Sequence, residues 1–422
     1  MKTKLTLLLV LIFVVAVSPV AAADKPTVTL WSTGSQNVSD LFNNLIEAYN
    51  ARPESTSVVK LQFILSGTGE DTLSSRIAAA YKTGKTNSGF DIIAENSTSL
   101  QQYINEAGST DLFRDLDFSK IPNYKNLLIK PSIYESKFVP YRGTTVVMAY
   151  DSARLPNPPK TWDEFRQTAY QLTQREEGGR IMVAGAALGA ASNVDHWSDI
   201  LGLMMLQNEV NLAGPYDEIA KQAFDFFMVF SREDNVWDET LPASTMAFAG
   251  NKLAFYFGPS WRIISLRELN PNLNFGVAPV PQLPQIPGQE KPVSWASFWV
   301  EGVSAKSQQQ SLAFEFLAYL SQNETLERIF QAGSQVHYIG ALYPRKSLAS
   351  TLQNDPLLNP FLEQASYAKS WYLCSRILDN GINDTIRKYF EDAINRSLSG
   401  GDPQLETTVS QGVASVLEKY GL

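Results

Sequence analysis

The stretch Ser136–Phe165, SKFVPYRGTTVVMAYDSARLPNPPKTWDEF, constrains the fold more than any other. Its first part is rich in β-branched and aromatic residues, which predicts extended chain over Phe138–Pro140 and Thr144–Tyr150. A proline-dense connector follows, Leu155–Pro159, where Pro158 and Pro159 prevent a helix from starting early. Thr161 and Glu164 then stand three residues apart, the spacing of a capping box that opens a helix. A long extended run, a rigid connector and a sharply started helix mark the place where the chain leaves one lobe and enters another. Within it, Phe138–Gly143 is read as the first hinge strand, and the protein's work is expected in the gap between the lobes.

The length supports two lobes, since 422 residues exceed what one hydrophobic core usually serves. At the N-terminus, Lys2 and Lys4 precede the apolar run Leu5–Val17, and Ala21-Ala22-Ala23 stands before Asp24. That is the pattern of a secretory signal peptide, residues 1–23, cut after Ala23. The rival reading is an uncleaved anchor, because Leu5–Ala23 is just long enough to span a bilayer. Either way the chain is exported, periplasmic or extracellular, free or membrane-tethered. Cleavage removes two lysines and takes the formal net charge from −8 to −10. With that balance and no basic stripe, nucleic acid is not expected as a partner. Cys374 is the single cysteine, so an exported chain of this kind holds together without an internal disulfide, and a buried thiol is expected.

Alternation of strand and helix patterns fills the first third. Strands are expected at Val28–Trp31, Val58–Leu65 and Phe90–Ala94, and helices from near Asn37 or Ser39, over Thr72–Tyr81, and over Leu100–Glu106. This order argues for a parallel sheet with helices on its faces. Ligands in such sheets sit at the loops after the strands, here Ser32–Gln36, Gly67–Asp71 and Glu95–Ser97. Beyond the connector, helices are expected over Trp162–Gln174, from near Asn193 or Asp195 through Leu206, and over Tyr216–Phe230. The strand Leu253–Phe257 leads through Gly258-Pro259-Ser260-Trp261 into another helix. A strand over Phe275–Pro279 precedes the five prolines of Pro279–Pro292, read as the return crossing. Val293–Val303, the helical Gln308–Gln331, the extended His337–Tyr343, a third crossing at Pro344 and a helical C-terminal part complete the chain.

Standard catalytic signatures are missing: there is no G-x-x-x-x-G-K-[ST], H-E-x-x-H, G-x-S-x-G or C-x-x-C. His196 and His337 are the only histidines, which leaves no histidine-based metal cluster, and no cofactor is expected. What remains is tryptophan beside polar loop residues. An indole face stacks on the C–H face of a sugar while neighbouring polar groups serve its hydroxyls. Trp197 and Trp261 stand at expected helix starts, and Trp295 and Trp299 flank Phe298. Trp31 and Trp162 are read instead as core residues. The candidate binding set is Ser35, Gln36, Glu70, Glu95, Asn96, Trp197, Trp261, Trp295, Trp299 and Tyr338. Two rival classes stay open. A glycosidase could use two distant carboxylates; a polyamine, peptide or metal binder would call on Glu70, Asp71 and Glu95.

Several segments together resemble the extracellular solute-binding proteins of ABC importers, with the closest likeness to the maltose/maltodextrin-binding branch (family 1). They are Val28-Thr29-Leu30-Trp31 with its glycine-bearing loop and a helix ending in Tyr49-Asn50, and Phe90-Asp91-Ile92-Ile93. Further along come Tyr150-Asp151 followed by LPNPPKTWDEF, FAGNKLAFYFGPSW over Phe248–Trp261, FGVAPVPQLP over Phe275–Pro284, the helix Ser311–Ser321, and Leu342-Tyr343-Pro344-Arg345. They run in family order over nearly the whole chain after the signal segment. The resemblance implies a periplasmic-binding-protein-like α/β fold of type II, two α/β lobes joined by a multi-crossing hinge. The N-terminal lobe would take residues 24–138 plus 282–340, the C-terminal lobe 143–278 plus 345–422. It implies a small-molecule solute, carbohydrate, captured in the cleft, docking to ABC permease membrane subunits, no catalysis, and a monomer. Trp261 matches the family's stacking tryptophan after Gly-Pro, Trp197 falls near its second-lobe aromatic contact, and Ser35 and Gln36 occupy first-loop positions that contact sugar hydroxyls. The chain departs from maltodextrin binders in its uncharged Ser35-Gln36, in Glu95-Asn96 where they carry an aromatic, and in the aromatic richness of Val293–Trp299. The implied ligand is therefore carbohydrate in general rather than maltodextrin itself.

Overall fold

The computed structural model describes residues 25–65, 72–82, 89–108, 111–122, 136–284, 291–335 and 344–422. The signal segment, Glu70, Tyr338 and the third crossing's approach His337–Tyr343 lie outside the described residues. Ten strands join in one sheet: β1 Thr27–Gly34, β2 Val58–Leu65, β3 Ile92–Asn96, β4 Phe138–Asp151, β5 Gln174–Arg175, β6 Ile181–Ala186, β7 Leu253–Pro259, β8 Phe275–Ala278, β9 Ser294–Val303 and β10 Ala368–Lys369. Their order is β2-β1-β3-β9-β4-β7-β6-β5, with β8 added to β4 and β10 to β9.

Three cores flank this sheet. Side-chain alternation along the first strands feeds two of them, one on each face. Val28 and Leu30 of β1 and Ile92 of β3 pack with Leu41, Leu45, Phe316 and Leu320, while Trp31 and Ile93 pack on the opposite side with Ile77, Leu100 and Ile104. The third core belongs to the second lobe and gathers Val146–Ala149, Phe165, Phe224, Phe255, Ile386 and Val413. Trp31 and Trp162 are core residues as expected, and Trp162 Nε1 donates to Gln207 Oε1 at 2.6 Å. Cys374 is buried, and burial pushes its thiol pKa well up.

The opening stretch folds as one strand where the sequence suggested two runs. β4 is fourteen residues long, and Tyr150 is its one partly exposed residue. Its first half pairs antiparallel with β9, from Phe138↔Gly302 to Thr145↔Ala296, with an irregularity between Pro140 and Arg142. From Val146 onward it pairs instead with β7, and from Met148 also with β8. β9 makes the same passage: Trp295 packs in the second lobe's core and Ala296, Phe298 and Val300 in a core of the first. Both strands change cores at one rung, Thr145–Ala296. The proline connector leads into the helix Trp162–Leu172, and the capping box is present. The Glu164 amide donates to Thr161 Oγ1 and the Thr161 amide to Glu164 Oε2, both at 3.3 Å.

Among the described residues the sheet is parallel between β1 and β2, β1 and β3, β6 and β7, and β9 and β10. The parallel pairing expected for the first three strands is present, while β4 and β9, which arrive from the crossings rather than from β-α-β units, run antiparallel to each other and to β7 and β3. The helix after β1 starts earlier than expected, at Gln36 with Ser35 as N-cap. The helical stretch Gln308–Gln331, expected in one or two pieces, is two helices, Gln310–Leu320 and Asn323–Gln335.

Two buried polar groups sit on these crossing strands. Gln364 is fully buried. Its amide nitrogen donates to Thr145 Oγ1 at 2.9 Å and to the Val146 carbonyl, and its oxygen accepts from the Val280 amide at 3.1 Å. It ties the outgoing strand to the return segment. Gln364→Leu strands these partners without water and is expected to cost roughly 2–4 kcal/mol in urea unfolding; a change within error would show that the bridge is dispensable. Glu301 of β9 is fully buried and neither carboxyl oxygen has a hydrogen-bond partner. Burial raises its pKa to about 8, with the Arg345 guanidinium lowering it in part. A carboxyl raised on folding favours the protonated folded state. Its contribution is therefore intact below the unfolded value near 4.5 and is lost as pH rises toward about 8. Glu301→Gln should accordingly gain roughly 2–4 kcal/mol over the parent at pH 9, with the gap closing toward pH 4. Thermal unfolding across pH checks this, and a pH-independent difference would contradict it.

Candidate functional site: a cavity between the two lobes

A cavity of about 650 Å³ opens where β4 and β9 change cores, a volume typical of small-molecule sites. The loop after β1 (Thr33, Gly34, Ser35) and Glu95–Asn96 at the end of β3 line it from the first lobe. Ala191–Trp197, Trp261 and Ser375–Leu378 line it from the second, and Arg142, Thr144, Thr145, Trp295, Ser297 and Trp299 come from the crossing strands. Of the ten residues singled out from sequence, seven meet here: Ser35, Glu95, Asn96, Trp197, Trp261, Trp295 and Trp299. Gln36 does not. It opens the helix Gln36–Asn50 on the exposed side and donates to Asp40 at 2.8 Å. Glu70 and Tyr338 lie outside the described residues.

Each wall residue is fixed by its local structure. Asn96 caps the turn Ser97–Ser99, accepting from the Thr98 amide at 3.0 Å and hydroxyl at 2.8 Å, and donates to Ser297 at 3.0 Å. Glu95 accepts from the Tyr103 hydroxyl at 2.5 Å and the Asn96 amide at 2.6 Å. Burial lifts its pKa to about 7 against the pull of those donors. Trp295 is nearly inaccessible and lies so close to Gly202 that a Cβ there would stand 2.5 Å from its ring; only glycine lets the helix Trp197–Gln207 approach so closely.

The polar wall around Trp261 was not anticipated. His196 is buried, and Arg262 Nε donates to its Nε2 at 3.1 Å. That contact makes Nε2 the acceptor, so the proton sits on Nδ1, facing Asp199 at 3.2 Å and Ser375 at 2.9 Å. Burial lowers the His196 pKa, which keeps the ring neutral. Asp199 also accepts from the Ser375 amide at 2.8 Å. Asp195 accepts from the Thr245 amide at 3.0 Å and hydroxyl at 2.5 Å, with Arg376 at 3.2 Å and Arg262 at 3.5 Å. Burial would raise its pKa, but these partners outweigh it and the net shift is downward. Three of the cavity's tryptophans carry a guanidinium over the ring: Trp299 has Arg142 at 4.1 Å, Trp261 has Arg262 at 4.6 Å, and Trp197 has Arg387 at 5.8 Å. Arg142 had a signal in the sequence, as the lone charge inside the otherwise uncharged run Phe138–Tyr150. Arg376 and Arg387 had none, since tertiary packing alone brings the C-terminal segment to the cavity. Among the described residues, no group of three His, Cys, Asp or Glu side chains is placed to hold a metal ion.

Residues 44–359 match the family described as bacterial extracellular solute-binding protein, which is more than half of the chain. The chain belongs to that family. The family places it outside the cell, and no described helix is long and apolar enough to cross a membrane. Three solved structures share its two-lobe fold. One is an ABC transporter solute-binding protein from Thermotoga lettingae bound with α-D-tagatose (17% identity, 94% of this chain and 100% of that one, TM-score 0.65). Another is the cyclic α-maltosyl-1,6-maltose binding protein from Arthrobacter globiformis (17%, 93% and 99%, 0.66). The third is a cyclo/maltodextrin-binding protein complexed with maltotetraose (16%, 94% and 97%, 0.67). None of the curated proteins matches the chain.

A set of hydrogen bonds holds the lobes of this solute-binding protein together beside the cavity. Asn383 Nδ2 donates to Thr98 Oγ1 at 2.9 Å, the Ile382 amide to Gln102 Oε1 at 3.3 Å, and Gln101 Nε2 to the Tyr420 carbonyl at 2.9 Å. Removing two of these in Thr98→Ala/Gln102→Ala should cost this arrangement of the lobes about 2 kcal/mol, a roughly 30-fold change in its ratio to a more open one. Small-angle scattering of the ligand-free protein should then show a larger radius of gyration; an unchanged radius would mean that these bonds do not hold the lobes.

Proposed function

We propose that this solute-binding protein captures a carbohydrate, an oligosaccharide, between its lobes and delivers it to the membrane subunits of an ABC permease, acting as a monomer and without catalysis. The observation that carries this is the cavity wall. Four tryptophans, two of them partly exposed, stand among Asn96, Thr144, Ser297 and the neutral His196, a mixture suited to sugar faces and sugar hydroxyls. The saccharides named for the structurally similar proteins support the same reading. The lobes are assigned to residues 24–138 with 282–340 and to 143–278 with 345–422. The contact set is Ser35, Glu95, Asn96, Trp197, Trp261, Trp295 and Trp299, with Glu70 and Tyr338 retained as candidates and Gln36 at the edge of the first loop.

The mechanism is a shift of population. A ligand favours the closed form only through contacts that the open form lacks. Going from 1:99 to 99:1 takes about 5.5 kcal/mol of differential binding. Aromatic contacts of about 0.5–1.5 kcal/mol each, desolvated on closure, with a few hydrogen bonds reach that sum.

Intrinsic tryptophan fluorescence against a panel of mono- and oligosaccharides should respond to at least one of them. Trp261→Ala should weaken that binding about tenfold or more, the equivalent of about 1.4 kcal/mol. A flat response to every sugar, with a clear one to an amine, a peptide or a metal ion, would refute the carbohydrate assignment.

A further inference from the structure

The cavity holds more cation than its own carboxylates use. Arg142, Arg376 and Arg387 line it, together with Glu95, Asp195 and Asp199. The carboxylates are engaged elsewhere: Glu95 by Tyr103 and the Asn96 amide, Asp199 by Ser375 and His196, and Asp195 by Thr245, Arg262 and Arg376. Arg387 meets Asp384 through Nη1 at 3.3 Å, and its Nε is buried without a hydrogen-bond partner. Arg142 has no ion pair at all among the described residues. It is 5% exposed, its Nε is likewise buried without a partner, and the ring faces of Trp299 at 4.1 Å and Tyr141 at 5.5 Å are its cationic contacts. A buried guanidinium without a direct ion pair is costly, and ring faces and the nearby Glu95 carboxyl offset only part of that. The unpartnered Nε belongs to the edge of the guanidinium whose two parallel N–H groups fit a pair of anionic oxygens. Two residues far apart in sequence, one on a crossing strand and one on the helix Ile382–Leu398, thus line one cavity and carry the same unmet donor.

We propose that the captured saccharide is acidic, bearing a carboxylate of the uronic-acid kind that is held by Arg142, with Arg387 as a second cationic contact. This rests on the carbohydrate reading and names the class of sugar. It also accounts for the guanidiniums set against Trp299 and Trp197: a planar cation lying on an indole can present its edge to an anion while its face stays packed.

The test uses matched ligands on the full secreted chain. Oligomeric uronates of the gluco, galacto and manno series are compared with their methyl esters by calorimetry and thermal shift. Maltotriose, a sulfated and a phosphorylated sugar, and inorganic sulfate and acetate complete the panel. At least one uronate should bind tenfold or more tighter than its ester, with the preference shrinking as salt is raised. Arg142→Gln should bring acid and ester to similar affinity. Arg387→Gln, at a more exposed position, should reduce the preference several-fold and keeps the test decisive if the first variant does not fold. Equal binding of acids and esters, or binding of maltotriose alone, overturns the acidic-ligand inference and leaves the carbohydrate reading standing. Selective binding of the sulfated or phosphorylated sugar overturns the carboxylate assignment. A response only to the simple anions, with no saccharide bound in any form, overturns both.

Discussion

The pairing of Thr145 with Ala296 is the constraint on which the rest of the structure depends. At that rung two antiparallel strands leave one pair of cores and enter another. Because β4 and β9 remain paired up to the exchange, the two lobes share a continuous piece of sheet and are not merely tethered. Movement between them is therefore a twist spread over a short ladder, and its axis is set by the strand direction. Gln364 bonds to both residues flanking the exchange on β4 and to the returning chain at Val280, so it sits where the twist concentrates. The cavity lies beside the same rung, and a ligand there touches residues on either side of the axis.

The chemistry of the cavity follows from that position. Strands that pass between cores are buried on both faces, so any charge on them is short of water. Arg142 and Glu301 both stand on these strands. Glu301 can take up a proton and shed its charge, whereas an arginine cannot. The asymmetry leaves Arg142 as the charge on these strands that burial does not remove. The second lobe's histidine and aspartates are bound into a closed network with Ser375, Thr245 and Arg262, which makes them rigid wall rather than free acids or bases.

Local chemistry made much of this readable in the sequence. The capping box at Thr161 and Glu164, the strand Val58–Leu65 and the core positions of Trp31 and Trp162 rest on short-range rules of spacing and amphipathicity, and they stand as read. Where strand direction was needed, those rules ran out. Alternating strands and helices suggest parallel pairing, and nothing local to Ser294–Val303 says that it runs antiparallel between β3 and β4. The same holds for the site. Tryptophans at helix starts could be picked out, but Asp195, Ser375, Arg376 and Arg387 reach the cavity through packing between segments some 180 residues apart. Arg142 was the exception, visible as one charge in a long uncharged run.

The interleaving of the cores also sets the order in which the chain can fold. Leu30, Leu45 and Ile92 find their partners in Phe316, Leu320 and Leu348, and the second lobe is completed by Phe390 and Val413. A chain emerging N-terminus first leaves part of each core open until these later segments are made. Such contacts, distant in sequence, make folding slow. For a protein whose family works outside the cell, slowness has a use. A chain that folds slowly stays open long enough to be threaded across a membrane.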